Sequence, residues 1–263
     1  MYSATVVSAR QDVLPPAFVR LAAHPLRWKL LTTLADSDFR VRELVRRVNE
    51  PQNLVSYHLR LLRDGGLVTS TRSSFDGRDS YYHLDLARCA DALAETGAAL
   101  HPALRVDGVA STNNASGGTR RPVTVLFVCT GNSIRSPMAE ALLRRYAPDR
   151  VTVTSAGTRP GPRLHPEMVR VMSDQYGIDT AGQQPRDISS LARSRFDHVV
   201  TLCDRAREAS HEFPHHPRRA HWSIPDPAAT GGDNKAVYAA VQRTATDIDT
   251  RIKHQLPVLT SIQ

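Results

Sequence analysis

The sequence predicts two domains of different class: a mainly α domain over residues 1–104, and an α/β domain with a parallel sheet flanked by helices over residues 122–263. Three observations carry that division. Leucines recur at helical spacing in the N-terminal part, β-branched runs alternate with helical stretches in the C-terminal part, and a small polar segment over residues 105–121 lies between them. The stretch from Gly108 to Thr119 has no apolar period and cannot bury enough surface to offset its ordering entropy. It is expected to be a flexible tether, and a tether argues against tight mechanical coupling of the two domains.

Bulk properties bound the possibilities. A chain of 263 residues can build two cores, and 41% hydrophobic with 23% charged residues is ordinary for a globular protein. No run approaches the roughly 20 apolar residues that cross a bilayer, and no charged-then-apolar leader opens the chain. No membrane association is therefore expected, and a cytoplasmic location is. Cys89, Cys129 and Cys203 do not make a disulfide framework, so each is judged by its neighbours. The net charge of +8 favours polyanionic partners, provided that a groove-reading element accompanies it.

In the first domain, Pro25 suits the opening turn of a helix on which Leu26, Leu30, Leu31 and Leu34 share a face. Val41–Val48 reads as a short second amphipathic helix. A third runs from Gln52 to about Arg63, with Leu54, Leu59 and Leu62 facing inward, and stops at Gly65 and Gly66. Leu67–Thr71 and Tyr81–Leu84 are strand-like and flank the hairpin-turn pair Asp76 and Gly77, after which residues 86–100 return to helix.

Two helices joined by a short turn and followed by a hairpin make a winged helix-turn-helix. The second helix would enter a DNA major groove with Asn53, Ser56, Tyr57, His58 and Arg60, while Arg72 and Arg78 on the wing would meet flanking phosphates. The same polar side chains would suit a plain solvated face; the order helix, turn, helix, hairpin is what favours DNA. Leu21–Leu31, Leu54–Leu62 and Gly65–Val68 resemble the arsenical-resistance-repressor family of winged-helix regulators, over roughly residues 13–100. The resemblance implies a homodimer, built through the terminal helices of this domain, on a near-palindromic double-stranded operator. Arsenite-sensing members often carry Cys-Val-Cys where this chain has Arg40, Val41 and Arg42, and Cys89 alone cannot supply a soft three-sulfur site. Cys89 is read as a packing residue and no metal site is expected.

In the second domain, Val123–Val128 is a continuous apolar run, as in a strand covered on both faces. Helical segments near 137–146, 165–176 and 234–254 alternate with strand-like Val151–Thr154 and His198–Leu202. Parallel sheets of this kind bind ligands beyond the carboxyl ends of their strands. The first strand ends at Cys129, and Arg135 follows after five residues, in a Cys-x5-Arg phosphate-type loop formed by Thr130, Gly131, Asn132, Ser133 and Ile134. Such a loop can wrap a tetrahedral oxyanion with backbone N–H groups, helped by the N-terminus of the next helix. That setting favours a nucleophilic Cys129 thiolate. Arg135 can hold two oxyanion oxygens, Gly131 and Asn132 tolerate unusual backbone angles, and Ser136 can donate to the thiolate.

This stretch resembles the low-molecular-weight protein tyrosine phosphatases and the arsenate reductases that share their fold, over about residues 122–256. The resemblance implies that Cys129 is the nucleophile, Arg135 the oxyanion clamp and Asp226 the general acid, although Asp226 and Pro227 would also make a common turn. Ser155–Thr158, Val199–Cys203, His221–Trp222 and Asp226–Ala228 read more like the reductases, as does the arsenic-type regulator in the same chain. In cation-binding reductases Asn132, Glu140 and Ser155 would match monovalent-cation ligands; no tightly bound cofactor is otherwise expected. Thioredoxin-coupled members carry two more cysteines seven residues apart, whereas here Cys203 matches the first and Ser210 occupies the second. The expected reductant is therefore an external thiol, mycothiol or glutathione with a redoxin, with direct attack of Cys203 on Cys129 as the other route and Cys203 as plain core a third reading. A tyrosine phosphatase, or an oxyanion-sensing repressor without catalysis, are the alternative functions; arsenate or phosphate is the expected ligand in each.

Overall fold

The computed structural model describes residues 14–75, 77–101, 104, 121–209, 213, 217–230 and 233–260. The expected tether falls almost wholly outside the described residues, as do Asp76 and Ser210. The N-terminal domain contains α1 (Ala17–Ala22), α2 (Pro25–Asp36), β1 (Phe39–Arg40), α3 (Val41–Val48), α4 (Gln52–Asp64), β2 (Val68–Arg72), β3 (Ser80–Leu84) and α5 (Leu86–Leu100). Pro25 sits at the start of α2, where its missing N–H costs no hydrogen bond, and the preceding His24 accepts from the Leu26 amide at 3.1 Å. The wing is an antiparallel sheet of order β1-β3-β2, with Val68 opposite Leu84 and Phe39 opposite Tyr82. Its core holds Leu30, Leu44, Val55, Leu59, Leu62 and Val68. The inward position expected for Leu54 belongs instead to Val55, because Val55, Leu59 and Leu62 lie at i, i+4 and i+7 on one face, while Leu54 is 37% exposed.

The C-terminal domain contains β4 (Val123–Cys129), α6 (Arg135–Tyr146), β5 (Val151–Gly157), α7 (Pro166–Tyr176), β6 (His198–Thr201), α8 (Asp204–Glu208), β7 (Arg218–His221) and α9 (Asn234–Leu259). The four strands are parallel in the order β5-β4-β6-β7. The chain steps from β4 to β5 on one side, then crosses through α7 to β6 on the other. β4 is thus where the sheet order reverses, and its carboxyl end, at Cys129, opens onto the crevice that such sheets offer to ligands. Every residue of β4 from Val125 to Cys129 is buried, which accounts for its unbroken apolar run.

The two domains do not sit apart as the tether suggested; they share a buried polar interface. The Asp38 amide donates to the His221 carbonyl at 2.8 Å, and the Ser223 amide donates to Asp38 Oδ2 at 2.7 Å. Arg251 of α9 reaches both Asp38 carboxylate oxygens at 3.2 Å, and Arg207 of α8 pairs with Glu43 at 2.6 Å. Arg40 forms an ion pair with Glu208, and Tyr81 of β3 stands edge-on to His221 with ring centroids 4.8 Å apart. A buried charge is tolerated only when paired and hydrogen-bonded, and here each domain supplies the partners that the other needs.

Candidate active site and DNA-binding face

Cys129 ends β4 and is 2% exposed. Four carbonyls around it are pinned by the segment that follows β5. Cys129 O accepts from the Thr158 amide at 3.1 Å, Thr130 O from Arg159 at 2.8 Å, Gly131 O from Gly161 at 2.9 Å and Ser133 O from His165 at 3.0 Å. With those acceptors committed outward, the loop has its amide donors left for an anion, and the start of α6 adds its partial positive charge. The Asn132 amide already donates to Cys129 Sγ at 3.3 Å, and Ser136 Oγ lies 3.1 Å from the same sulfur.

Asn132 holds the loop in shape. It is buried with φ of 46°, a left-handed angle that asparagine tolerates better than most residues. Its side-chain amide donates to Ser136 Oγ at 2.8 Å and Ser155 Oγ at 2.9 Å, while its oxygen accepts from the Arg186 amide at 2.7 Å. The Ser136 hydroxyl accepts from Asn132 and faces two acceptors, the Cys129 sulfur at 3.1 Å and the Ala156 carbonyl at 3.4 Å. The Asn132 side-chain N–H faces Ser155, and Glu140 pairs with Arg144. Among the described residues no group of three or more His, Cys, Asp or Glu side chains is placed to hold a metal ion.

Arg135 opens α6 with its guanidinium buried; it donates to the Ile224 carbonyl at 3.0 Å and to Asp226 at 3.1 Å. The structure thus brings Cys129, Ser136, Arg135 and Asp226 into one cluster around the loop of Thr130, Gly131, Asn132, Ser133 and Ile134. Cys203 joins it: Thr130 Oγ1 lies 3.3 Å from the Cys203 sulfur. Burial pushes the Cys203 thiol above its ordinary value, against the pull of Arg135, and a charge on Cys129 pushes it further the same way. Sequence reasoning missed the buried cluster behind Cys203. There Asp204 accepts from Ser223 Oγ at 2.7 Å, from the Ser74 amide of the wing at 2.6 Å and from His221 at 3.1 Å. Burial by itself would raise the Asp204 carboxyl, but these donors hold it down at about 2. Burial lowers the pKa of His221, whose Nε2 lies 3.1 Å from Asp204 and whose Nδ1 lies 2.9 Å from Thr201 Oγ1. The pairing of Asp204 with His221 spans 17 residues and leaves no local pattern to read.

On α4, Asn53, Ser56, Tyr57 and Arg60 are exposed on one surface, as are Arg72 and Arg78 on the wing. His58 does not join them. It is 4% exposed and stacks on His24 with ring centroids 4.3 Å apart, because it lies one helical turn from Val55 and Leu62 on the face turned to the core. Burial lowers its pKa. Cys89 is half-buried against Leu67, and burial pushes its thiol up to about 11, as suits a packing residue.

A parallel α/β sheet with a cysteine-headed anion loop at its reversal point, joined to a winged helix-turn-helix, defines a two-part chain. Its larger part belongs to the low molecular weight phosphotyrosine protein phosphatase family, whose family model matches residues 124–258. Residues 24–70 match the family of bacterial regulatory proteins called the arsR family. An arsenate reductase of Bacillus subtilis is 38% identical over 129 residues, covering 49% of this chain and 91% of its own. One from Bacillus licheniformis is 37% identical over 130 residues, covering 49% of this chain and 92% of its own. Among solved structures, an arsenate reductase from Archaeoglobus fulgidus matches with 28% identity and a TM-score of 0.42, covering 52% of this chain and 99% of that one.

Proposed function

We propose that the chain is a cytoplasmic DNA-binding regulator that carries its own thiol-dependent arsenate reductase. The observation that carries the reading is the loop: Cys129 is held by the Asn132 amide and Ser136 at the mouth of a turn whose carbonyls face away. The Cys129 thiolate attacks arsenic(V), and an arsenate oxygen leaves as water with a proton from Asp226 while Arg135 steadies the remaining oxygens. An external thiol then attacks Cys129 Sγ. A sulfur–sulfur bond forms, the sulfur–arsenic bond breaks, and its electron pair departs with arsenic as arsenite. A redoxin returns the mixed disulfide to the thiol. Mycothiol or glutathione fits this role, because Cys203 is buried and its thiol disfavoured as an anion. No step requires a monovalent cation.

A second route, in which Cys203 attacks Cys129 directly, is favoured by the 3.3 Å contact of Thr130 with the Cys203 sulfur. Hydrolysis of aryl phosphates uses the same cluster, with water in place of the second thiol. The exposed face of α4 and the wing arginines support binding of a double-stranded operator, and the apolar side chains exposed on α1 and α5 support a homodimer. Arsenate-dependent NADPH oxidation tests the reading, with thioredoxin, glutathione–glutaredoxin and mycothiol–mycoredoxin supplied separately. We expect turnover with a small-thiol system, its loss in Cys129→Ser, and its survival in Cys203→Ser. Loss in Cys203→Ser would establish the internal route. Aryl phosphate hydrolysis without any arsenate turnover would make the protein a phosphatase, and oxyanion-dependent operator release that persists in Cys129→Ser, without either activity, would make it a sensor.

A further inference from the structure

The same segment of chain that docks on the N-terminal domain runs straight into the active site. Beyond β7, amides alternate in direction as in any extended strand. The Trp222 amide turns to the sheet and donates to Thr201 O at 2.8 Å. The amides on either side turn outward to the winged domain: His221 donates to Ser37 Oγ at 2.8 Å and Ser223 to Asp38 Oδ2 at 2.7 Å. Ser37 and Asp38 thereby take the place of a neighbouring strand on the free edge of the sheet. Three residues beyond Ser223 stands Asp226, and the path between is stiff. The Ile224 amide donates to Trp222 O at 3.0 Å, and Pro225 has a fixed φ. Both groups that meet Arg135, the Ile224 carbonyl and the Asp226 carboxylate, lie on this stretch.

We propose that Asp38, a residue of the DNA-binding domain, is a positioning residue for the thiolate chemistry: it fixes the Ser223–Asp226 stretch so that Asp226 meets Arg135. This rests on the enzymatic reading above. The reductase relatives align over 49% of the chain. Asp38 touches no reacting atom and acts through Asp226 alone. Its carboxylate is itself held by Arg251 at 3.2 Å, so it does not swing freely.

The test is a double-mutant cycle in the full-length chain, read by steady-state hydrolysis of p-nitrophenyl phosphate and by arsenate turnover. Asp38→Ala should lower kcat about tenfold with KM within about twofold, and Asp38→Asn, which keeps the acceptor oxygen, should restore most of the rate. In an Asp226→Ala background, Asp38→Ala should cost nothing further, since the group that it positions is gone. An equal loss in both backgrounds would show a general structural defect and overturn the proposal, as would unchanged kcat. Should Asp38→Ala fail to fold, Ser37→Ala removes the acceptor of the His221 amide and gives the same comparison. Hydrogen exchange separates the two levels of the argument: the Ser223 amide should exchange at least about tenfold faster in Asp38→Ala. Unchanged exchange would overturn the contact itself, whereas a wild-type chain that turns over neither substrate would overturn the enzymatic reading and with it any catalytic role for Asp38.

Discussion

Gly157 shows at the scale of one residue how closely the anion loop is fitted to the sheet. A Cβ built there would lie 2.7 Å from the Thr130 carbonyl oxygen and 3.0 Å from the Asn132 amide nitrogen, so backbone and not a flexible side chain would have to move. Gly157→Ala should therefore leave the fold intact and displace the loop, lowering kcat/KM about 10²-fold, by the sensitivity of such chemistry to shifts near 1 Å. Circular dichroism alongside steady-state kinetics checks it, and a variant with full activity would show that the close approach is dispensable. The nucleophile, the clamp and the serine beside them were legible because they fall within one short run between a strand and a helix. Asn132 was legible as a residue that tolerates odd backbone angles and as a match to a cation ligand, but its side-chain hydrogen bonds were not, because they run to Ser136, Ser155 and Arg186, two of them distant in sequence. His58 was misread because a histidine on an amphipathic helix can face either way, and stacking on His24 turned it inward.

Among the elements, α5 stands out because none of its residues is buried, although Leu93 and Leu100 project from it at 54% and 74% exposure. With Leu14 exposed before α1, which packs on α5, this makes an apolar face of the kind that a second copy covers. Leu93→Asp with Leu100→Asp should convert the proposed homodimer to a monomer in sedimentation and weaken operator binding at least about tenfold, leaving aryl phosphate hydrolysis unchanged. A variant that stays dimeric would place the dimer elsewhere. The longer helices and the strands β4, β5 and β6 were readable from period and β-branched content. The two-residue β1, the five-residue α8 and the short α1 were not, being too brief to show a period. β7 was missed for another reason: Arg218, Arg219, Ala220 and His221 carry the polar composition of an edge, and only pairing with β6 makes them a strand.

At the scale of the whole molecule, both domains were recognisable from local patterns, but their docking was not. It depends on polar residues that read as surface and on pairs such as Asp38 and Ser223, separated by 185 residues. The interface carries a pH signature. The pKa of His221 is lowered in the folded chain, so the unfolded chain binds more protons and stability falls as pH drops below about 6.5. Asp204, held at about 2, contributes about 2 kcal/mol that is present above about pH 4 and lost as pH falls toward 2. Urea unfolding across pH 7 to 2 should show both declines, and Asp204→Asn should abolish the second; a curve flat below pH 4 in the wild-type chain would contradict the assignment. Because the two docked faces belong to one polypeptide, each meets the other at an effective concentration on the order of millimolar. An interface that, cut into separate pieces, held with a dissociation constant of about 10 μM would then be open in only about one molecule in a hundred. Cleaving the chain between the domains would dilute that advantage away, so proteolysis there would separate regulator from enzyme without breaking a single contact in either.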